Sequence, residues 1–241
     1  MGVLFRIGPF NIYKLGFFTA LGLLAGLYIA MREARRKGIK EDEIINFVQV
    51  IVIAGFVGAR LLFVLLDLPY YIKNPSMIWH ISEGGLSFHG AVLGGLLAGI
   101  IYARYKKVSF FKLSDVVSPG LALGYSIGRI GCDIYGKAAK VPWAVTVDGI
   151  PRHPVQFYSA LSALIIFYIL WKRRKMIRYD GELFLNFMLL YSVYRFFIEF
   201  FRESIMIGPL SIAQWVSLIL ILGSSLVSHF ISAGKLTKNA S

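Results

Sequence analysis

Three arginines lie inside otherwise apolar stretches of this sequence: Arg60, Arg129 and Arg195. A guanidinium stays charged at any physiological pH and grips phosphate or carboxylate through parallel N–H bonds. At mid-membrane depth it costs roughly 2.5 to 3.5 kcal/mol on insertion scales, so it is kept where it faces a protein interior, a wet cavity or an anion. Arg195, Glu199 and Arg202 in YRFFIEFFRE are spaced four and three apart, which sets them along one helical face. Glu199 there either lowers the cost of burying Arg195 or orients an arginine that binds an anion, and the two roles are compatible. His89 sits among Gly90, Gly94 and Gly95. It reads either as a packed histidine or as a general base working near neutral pH. Cys132, one turn beyond Arg129, reads as a small apolar filler before it reads as a nucleophile. No metal-ligand spacing, phosphate-loop pattern or Ser-His-Asp set occurs, and neither a metal nor an organic cofactor is implied.

The residues that must position these groups are those of a membrane protein. Of the 241 residues 57% are hydrophobic and the mean hydropathy is +0.66, values outside the range of an ordinary soluble domain. Seven apolar segments, 12–31, 44–66, 84–103, 113–136, 154–171, 183–201 and 212–230, are each long enough for a hydrocarbon core that needs roughly 20 helical residues. The expected fold is all-α, a polytopic bundle of seven transmembrane helices forming one domain over 1–241. The first segment is too long for a signal-peptide core and is expected to be a mature helix. Gly120, Gly124 and Gly128 recur every four residues on the fourth segment. They leave a stripe where a neighbouring helix or a ligand can approach the backbone. The loop 133–153, with VPWAVTVDGIPRHP, is expected to carry a small hairpin.

The formal charge of +13 would suit nucleic acid, but the bases stand in short clusters between apolar segments and read as topology, not as a nucleic-acid face. Sixteen basic residues fall on one side of the membrane and seven on the other, which places the amino terminus outside and the carboxyl terminus in the cytoplasm. Arg129 and Arg195 then come about 9 to 12 Å below the outer ends of their segments, at about 1.5 Å per residue. The early residues of the third and fifth segments, His89 and then His153, Gln156 and Tyr158, reach the same outer layer. A layer of arginines at headgroup depth is a phosphate site in prospect.

Six stretches give the sequence a relative: GPFNIYKLG from Gly8, GGLSFHGAVLGG from Gly84, SDVVSPGLALGYSIGRIG from Ser114, RHPVQFY from Arg152, YRFFIEFFRE from Tyr194 and LSIAQWVSL from Leu210. Together they resemble the prolipoprotein diacylglyceryl transferases, bacterial plasma-membrane enzymes that begin lipoprotein maturation. The resemblance implies transfer of diacylglyceryl from phosphatidylglycerol to the lipobox cysteine of a preprolipoprotein, with release of glycerol phosphate toward the outer leaflet. It implies His89, Arg129 and Arg195 as site residues; with Glu199 beside Arg195 these are the expected catalytic residues, and Arg60, Gln156, Tyr158 and Arg202 are expected to line the site, with membrane lipid as the other partner. The sequence departs from the family's motifs at Leu15 for tyrosine, at Cys132 for asparagine, at DIYGK in place of NGE, and at Ser159 for glutamate. A divergent paralogue that binds the lipid but uses another acceptor, or none, and a small-anion transporter are the alternatives. The transporter is disfavoured because the arginines cluster at one leaflet and no inverted repeat is visible.

Overall fold

A computed structural model describes residues 2–8, 10–80 and 84–238. Residues 81–83, and Pro9 of GPFNIYKLG, lie outside the described residues. Long helices form on all seven apolar segments: α1 (Lys14–Arg36), α2 (Glu41–Leu66), α4 (Phe88–Tyr105), α5 (Phe110–Ile130), α6 (Val155–Arg173), α7 (Glu182–Ile198) and α8 (Ile212–Lys238). A short α3 (Leu68–Lys73) follows α2. Large apolar side chains such as Leu24, Ile53, Leu66 and Ile219 stay exposed, as expected of helices whose solvent is lipid. Five of the helices, α1, α2, α6, α7 with its extension to Phe201, and α8, are long and apolar enough to cross a membrane. Helices α4 and α5 are more polar: glycines dilute both, with His89 and Arg104 on one and Lys112, Asp115 and Arg129 on the other. The protein is therefore a mostly helical, multi-pass membrane protein.

The all-α reading is supplemented by three antiparallel two-stranded ribbons: β1 (Val3–Ile7) with β2 (Phe10–Tyr13), β3 (Val145–Val147) with β4 (Ile150–Arg152), and β5 (Met206–Ile207) with β6 (Leu210–Ser211). The second is the hairpin read from VTVDGIPR, and Asp148 and Gly149 both take positive φ at its turn. Several segment ends also shift, two of them beside the arginines. The fourth was read through Gly136, yet α5 ends at Ile130, where Gly131 N–H bonds the Gly128 carbonyl and Cys132 N–H bonds the Arg129 carbonyl. These three-residue steps tighten the last turn and end the helix. Arg129 thus sits in the final turn of α5 and not about two turns inside it. Likewise α7 stops at Ile198, and Glu199–Phe201 form a 3₁₀ turn.

The chain divides into two compact units, residues 1–33 with 114–241, and residues 34–113. In the larger, α1 meets α5 at two glycine pairs. A Cβ at Gly22 would lie 2.5 Å from the Gly124 carbonyl oxygen, and one at Gly26 would lie 2.7 Å from that of Gly120. The stripe is thus filled by a helix backbone over its first two glycines, while Gly128 faces open space. Ala122, Ile166, Leu170 and Leu183 form a buried core with Phe167, Tyr191 and Tyr194 packed on it. The start of α7 is capped from α5: buried Asp115 accepts from Gly181 N–H and Phe184 N–H, both at 2.9 Å. That satisfies donors a helix N-terminus leaves free. In the smaller unit α2 and α4 pack with Gly58 against Gly90 and Gly94, and Phe47 packs on Tyr102.

Candidate active site

In the larger unit one layer collects the last turns of α5 and α7 and the first turns of α1, α6 and α8. Lys14 at the start of α1 pairs with Asp133 just after α5 at 3.9 Å. Arg129 in the last turn of α5 reaches Ser159 in the second turn of α6. Glu199, after α7, accepts from Ser211, which precedes α8. Cations in the last turn of a helix also complement its dipole, which favours Arg129 and Arg195 where they stand.

Glu199 is the hub of one half of this layer. It is 5% exposed, and one carboxylate oxygen accepts from Ser204 at 2.5 Å and from Ser211 at 3.2 Å. The other oxygen pairs with Arg195 through a short hydrogen bond and with Arg202 at 3.6 Å. A buried carboxylate is tolerable only with such partners. Ser211 is itself fixed by a capping box at the start of α8. Its N–H donates to Gln214 Oε1 at 2.9 Å, and Gln214 N–H donates to Ser211 Oγ at 3.2 Å. The LSIAQ stretch carried that signature in sequence, and it now explains why a serine hydroxyl points at Glu199.

Arg129 is held differently. Its Nη1 lies 3.5 Å from Cys132 Sγ and its Nη2 3.5 Å from Ser159 Oγ, the second long for an N–H···O bond. The guanidinium carbon stands 6.0 Å from the Tyr125 ring centroid. Its Nε is buried with no hydrogen-bond partner among the described residues. Tyr125 packs on Tyr191, and Tyr191 on Tyr194, so an aromatic chain links the Arg129 turn of α5 to the Arg195 turn of α7. Tyr194 interacts with Arg129 and Ser159, and Tyr191 with Arg195. Cys132 and Ser159, the two side chains on Arg129, are two of the positions where the sequence departs from the motifs it otherwise follows.

The expected layer residues Gln156 and Tyr158 are also here, in the first turn of α6. Gln156 is buried, with its Oε1 unpartnered among the described residues. The Tyr158 hydroxyl accepts from Trp143 Nε1 at 2.6 Å and lies 3.2 Å from His153 Nδ1. His153 and Tyr158 both pack against Phe201. Together with Gly136 N–H on the His153 carbonyl and Lys137 N–H on that of Phe201, both 2.8 Å, these contacts fasten the β3–β4 hairpin to α6 and to the turn after α7.

His89 and Arg60 belong to the smaller unit. His89 is exposed in the first turn of α4, beside Phe88, after Ser87 has capped the helix on Gly90 N–H. Arg60, 8% exposed near the end of α2, has four donor contacts on backbone carbonyls: Ile78 at 2.8 Å, Gly85 at 2.8 Å, Met77 at 2.5 Å and His80 at 3.2 Å. The rings of Phe63 and Tyr71 flank it at 5.7 and 5.5 Å. Gly85 is required there: its φ is +81°, and a Cβ would collide with the guanidinium. Tyr125, Tyr194, Ser204 and Trp143 are not singled out by the sequence, and Ser159 only as a departure from a motif. Of these, Tyr125 and Ser159 had a usable signal, one a turn before Arg129 and the other three residues after Gln156.

Comparison with known proteins agrees with this geometry. The prolipoprotein diacylglyceryl transferase family matches residues 2–229. A phosphatidylglycerol–prolipoprotein diacylglyceryl transferase of Clostridioides difficile (strain 630) is 37% identical over 235 residues, covering 95% of each chain. Proteins of the same name from Bacillus cereus (strain 03BB102) and Bacillus anthracis (strain A0248) are each 35% identical over 234 residues, covering 90% of this chain and 87% of theirs. With the motif arginines gathered in one layer and the likeness running along almost its whole length, the chain belongs to the prolipoprotein diacylglyceryl transferase family, membrane transferases of lipoprotein biosynthesis.

Proposed function

We propose that the protein crosses the bacterial plasma membrane seven times as one catalytic domain over 1–241, amino terminus outside and carboxyl terminus cytoplasmic. In this reading it transfers diacylglyceryl from phosphatidylglycerol to the lipobox cysteine of a preprolipoprotein, and its site opens toward the outer leaflet. The basic clusters at 32–40, 104–112 and 172–178 support that orientation. Three of the four catalytic candidates, Arg129, Arg195 and Glu199, and the binding candidates Gln156, Tyr158 and Arg202 share the layer at the opposite ends of α5, α6 and α7.

The observation that carries the reading is the contrast within that layer between Arg195, tied to Glu199, and Arg129, whose side-chain hydrogen bonds among the described residues go to Cys132 and Ser159 and to no carboxylate. A guanidinium whose N–H groups are half-engaged at 3.5 Å has donors left for a phosphate. Arg129 and Arg195 bind the headgroup phosphate, and Arg202 and Glu199 fix the Arg195 side. Gln156, buried with a free carbonyl oxygen, contacts the headgroup glycerol, and Tyr158 holds the hairpin over it. His89, exposed at its helix start, takes the proton of the acceptor thiol. The thiolate attacks the sn-3 carbon of the lipid glycerol, the C–S bond forms as the C–O bond breaks, and the electron pair stays on the departing phosphate oxygen. A phosphodiester monoanion becomes a phosphomonoester with a second developing charge, which the arginines stabilise. Arg60 is a further binding candidate, its guanidinium held by the carbonyls of Met77, Ile78, His80 and Gly85. No cofactor enters the scheme.

The test is transfer by the purified protein, with phosphatidylglycerol in nanodiscs and a lipobox peptide, following glycerol phosphate release and peptide mass. Addition of one diacylglyceryl group, lost with Arg129→Ala, Arg195→Ala and His89→Gln, is the expected result. Binding of lipid with no change in peptide mass would overturn the acceptor assignment.

A further inference from the structure

We propose that Ser159 sets the charge of the phosphate site, so that the protein holds a phosphomonoester dianion more tightly than a phosphodiester monoanion. The inference rests on the reading of Arg129 and Arg195 as phosphate ligands and adds to it a residue and a ligand class.

Ser159 is 1% exposed, and its hydroxyl donates to the Val155 carbonyl at 2.7 Å. A hydroxyl has one hydrogen, so with that hydrogen on Val155 its oxygen meets Arg129 Nη2 as an acceptor. It orients the guanidinium and adds no charge. The neighbouring carboxylates are turned elsewhere: Asp133 to Lys14 and to the Gly2 N–H at 3.4 Å, and Glu203 to Arg152 at 2.9 Å. Among the described residues, the hydrogen bonds and ion pairs bring no carboxylate to Arg129, while Arg195 and Arg202 share Glu199. Three guanidiniums against one carboxylate leave the set at +2.

A phosphodiester carries one negative charge, whereas a phosphomonoester carries about −1.5 to −2 at neutral pH. The monoester therefore matches the set more fully, and charge-assisted bonds to both of its anionic oxygens reward the match. The same balance follows the reaction, since the departing group gains its second charge as the C–O bond breaks. A carboxylate at position 159 would pair with Arg129 and bring the set to +1. Two sources present this chemistry: the glycerol phosphate released into water, and a bilayer lipid whose headgroup is a bare phosphate.

The full-length protein in nanodiscs tests the proposal through displacement of fluorescent phosphatidylglycerol. The competitors are glycerol phosphate, a phosphatidic acid, and the soluble phosphodiester glycerophosphoglycerol, and each is run with wild type, Ser159→Glu and Ser159→Gln. We expect wild type to favour glycerol phosphate over the diester by about tenfold, Ser159→Glu to erase that preference, and Ser159→Gln, equal in size and neutral, to keep it. Competition by the soluble monoester alone supports the aqueous source, and by phosphatidic acid alone the bilayer source. No preference in wild type, or equal loss in the Glu and Gln variants, overturns the charge role. Retained preference without peptide modification leaves the charge role standing and sinks the reaction. If wild type does not bind phosphatidylglycerol, the phosphate site falls.

Discussion

Arg60 and Arg129 pose the same problem to the chain, a guanidinium in an apolar helix, and are given opposite solutions. At Arg60 the backbone comes to the charge: a 3₁₀ turn over Pro75–Trp79 and the glycine at 85 present four carbonyls, and two aromatic rings close the sides. Little is left of it for a ligand. At Arg129 a cysteine sulfur and, at the limit of hydrogen bonding, a serine hydroxyl stand by the guanidinium, and Nε has no partner among the described residues. A charge fully met by carbonyls organises the chain around itself, and one that is half met is organised for something that arrives.

That contrast can be broken by experiment. The largest effect is expected at Arg129. Removing one preorganised donor to a developing anion commonly lowers turnover by about 10²- to 10³-fold. Arg129→Ala should therefore abolish glycerol phosphate release to that extent while the melting temperature in detergent changes little. Arg60→Met should do the reverse. Orphaning the carbonyls of Met77, Ile78, His80 and Gly85 costs about 3 kcal/mol, visible as a lower melting temperature and faster amide exchange over 74–80 and 85–90, with any turnover loss following the unfolded fraction. If Arg60→Met instead kept its stability and lost turnover, the two arginines would share one function and the contrast would be gone.

Two smaller effects sharpen it. Asp115→Ala removes both caps on α7, which should destabilise by about 1 to 2 kcal/mol without changing the affinity for phosphatidylglycerol, since Asp115 lies at the other end of α5 from Arg129. Trp143→Phe removes the hydrogen bond to Tyr158 but keeps the ring. Loss of a neutral hydrogen bond worth about 1 kcal/mol corresponds to a rise of a few-fold in the KM for lipid, with kcat held. Steady-state kinetics in nanodiscs separates the two parameters.

Some of this architecture was written in local sequence. Apolar segment length called for seven helices because a buried backbone has to satisfy its own hydrogen bonds, and the capping box of LSIAQ and the turn residues of VDGI are equally local. The spacing of Arg195, Glu199 and Arg202 announced their pairing for the same reason: helical periodicity is a property of neighbours. The end of α5 at Ile130 was less legible, since DIYG is no stronger a stop signal than the glycines before it.

Sequence by itself determined that the chain is a helical, multi-pass membrane protein, which arginines were anomalous, and which family the motifs resemble. It could not decide which arginine would be met by the fold and which left half-met. That depends on groups distant along the chain: carbonyls 17 to 25 residues from Arg60, and a serine 30 residues from Arg129. Carbonyls carry no side-chain signature, and a serine at 159 becomes a partner only when α6 lies against the end of α5. The division of labour between the two arginines is therefore a tertiary decision, made by which polar groups the packing of helices delivers to each charge.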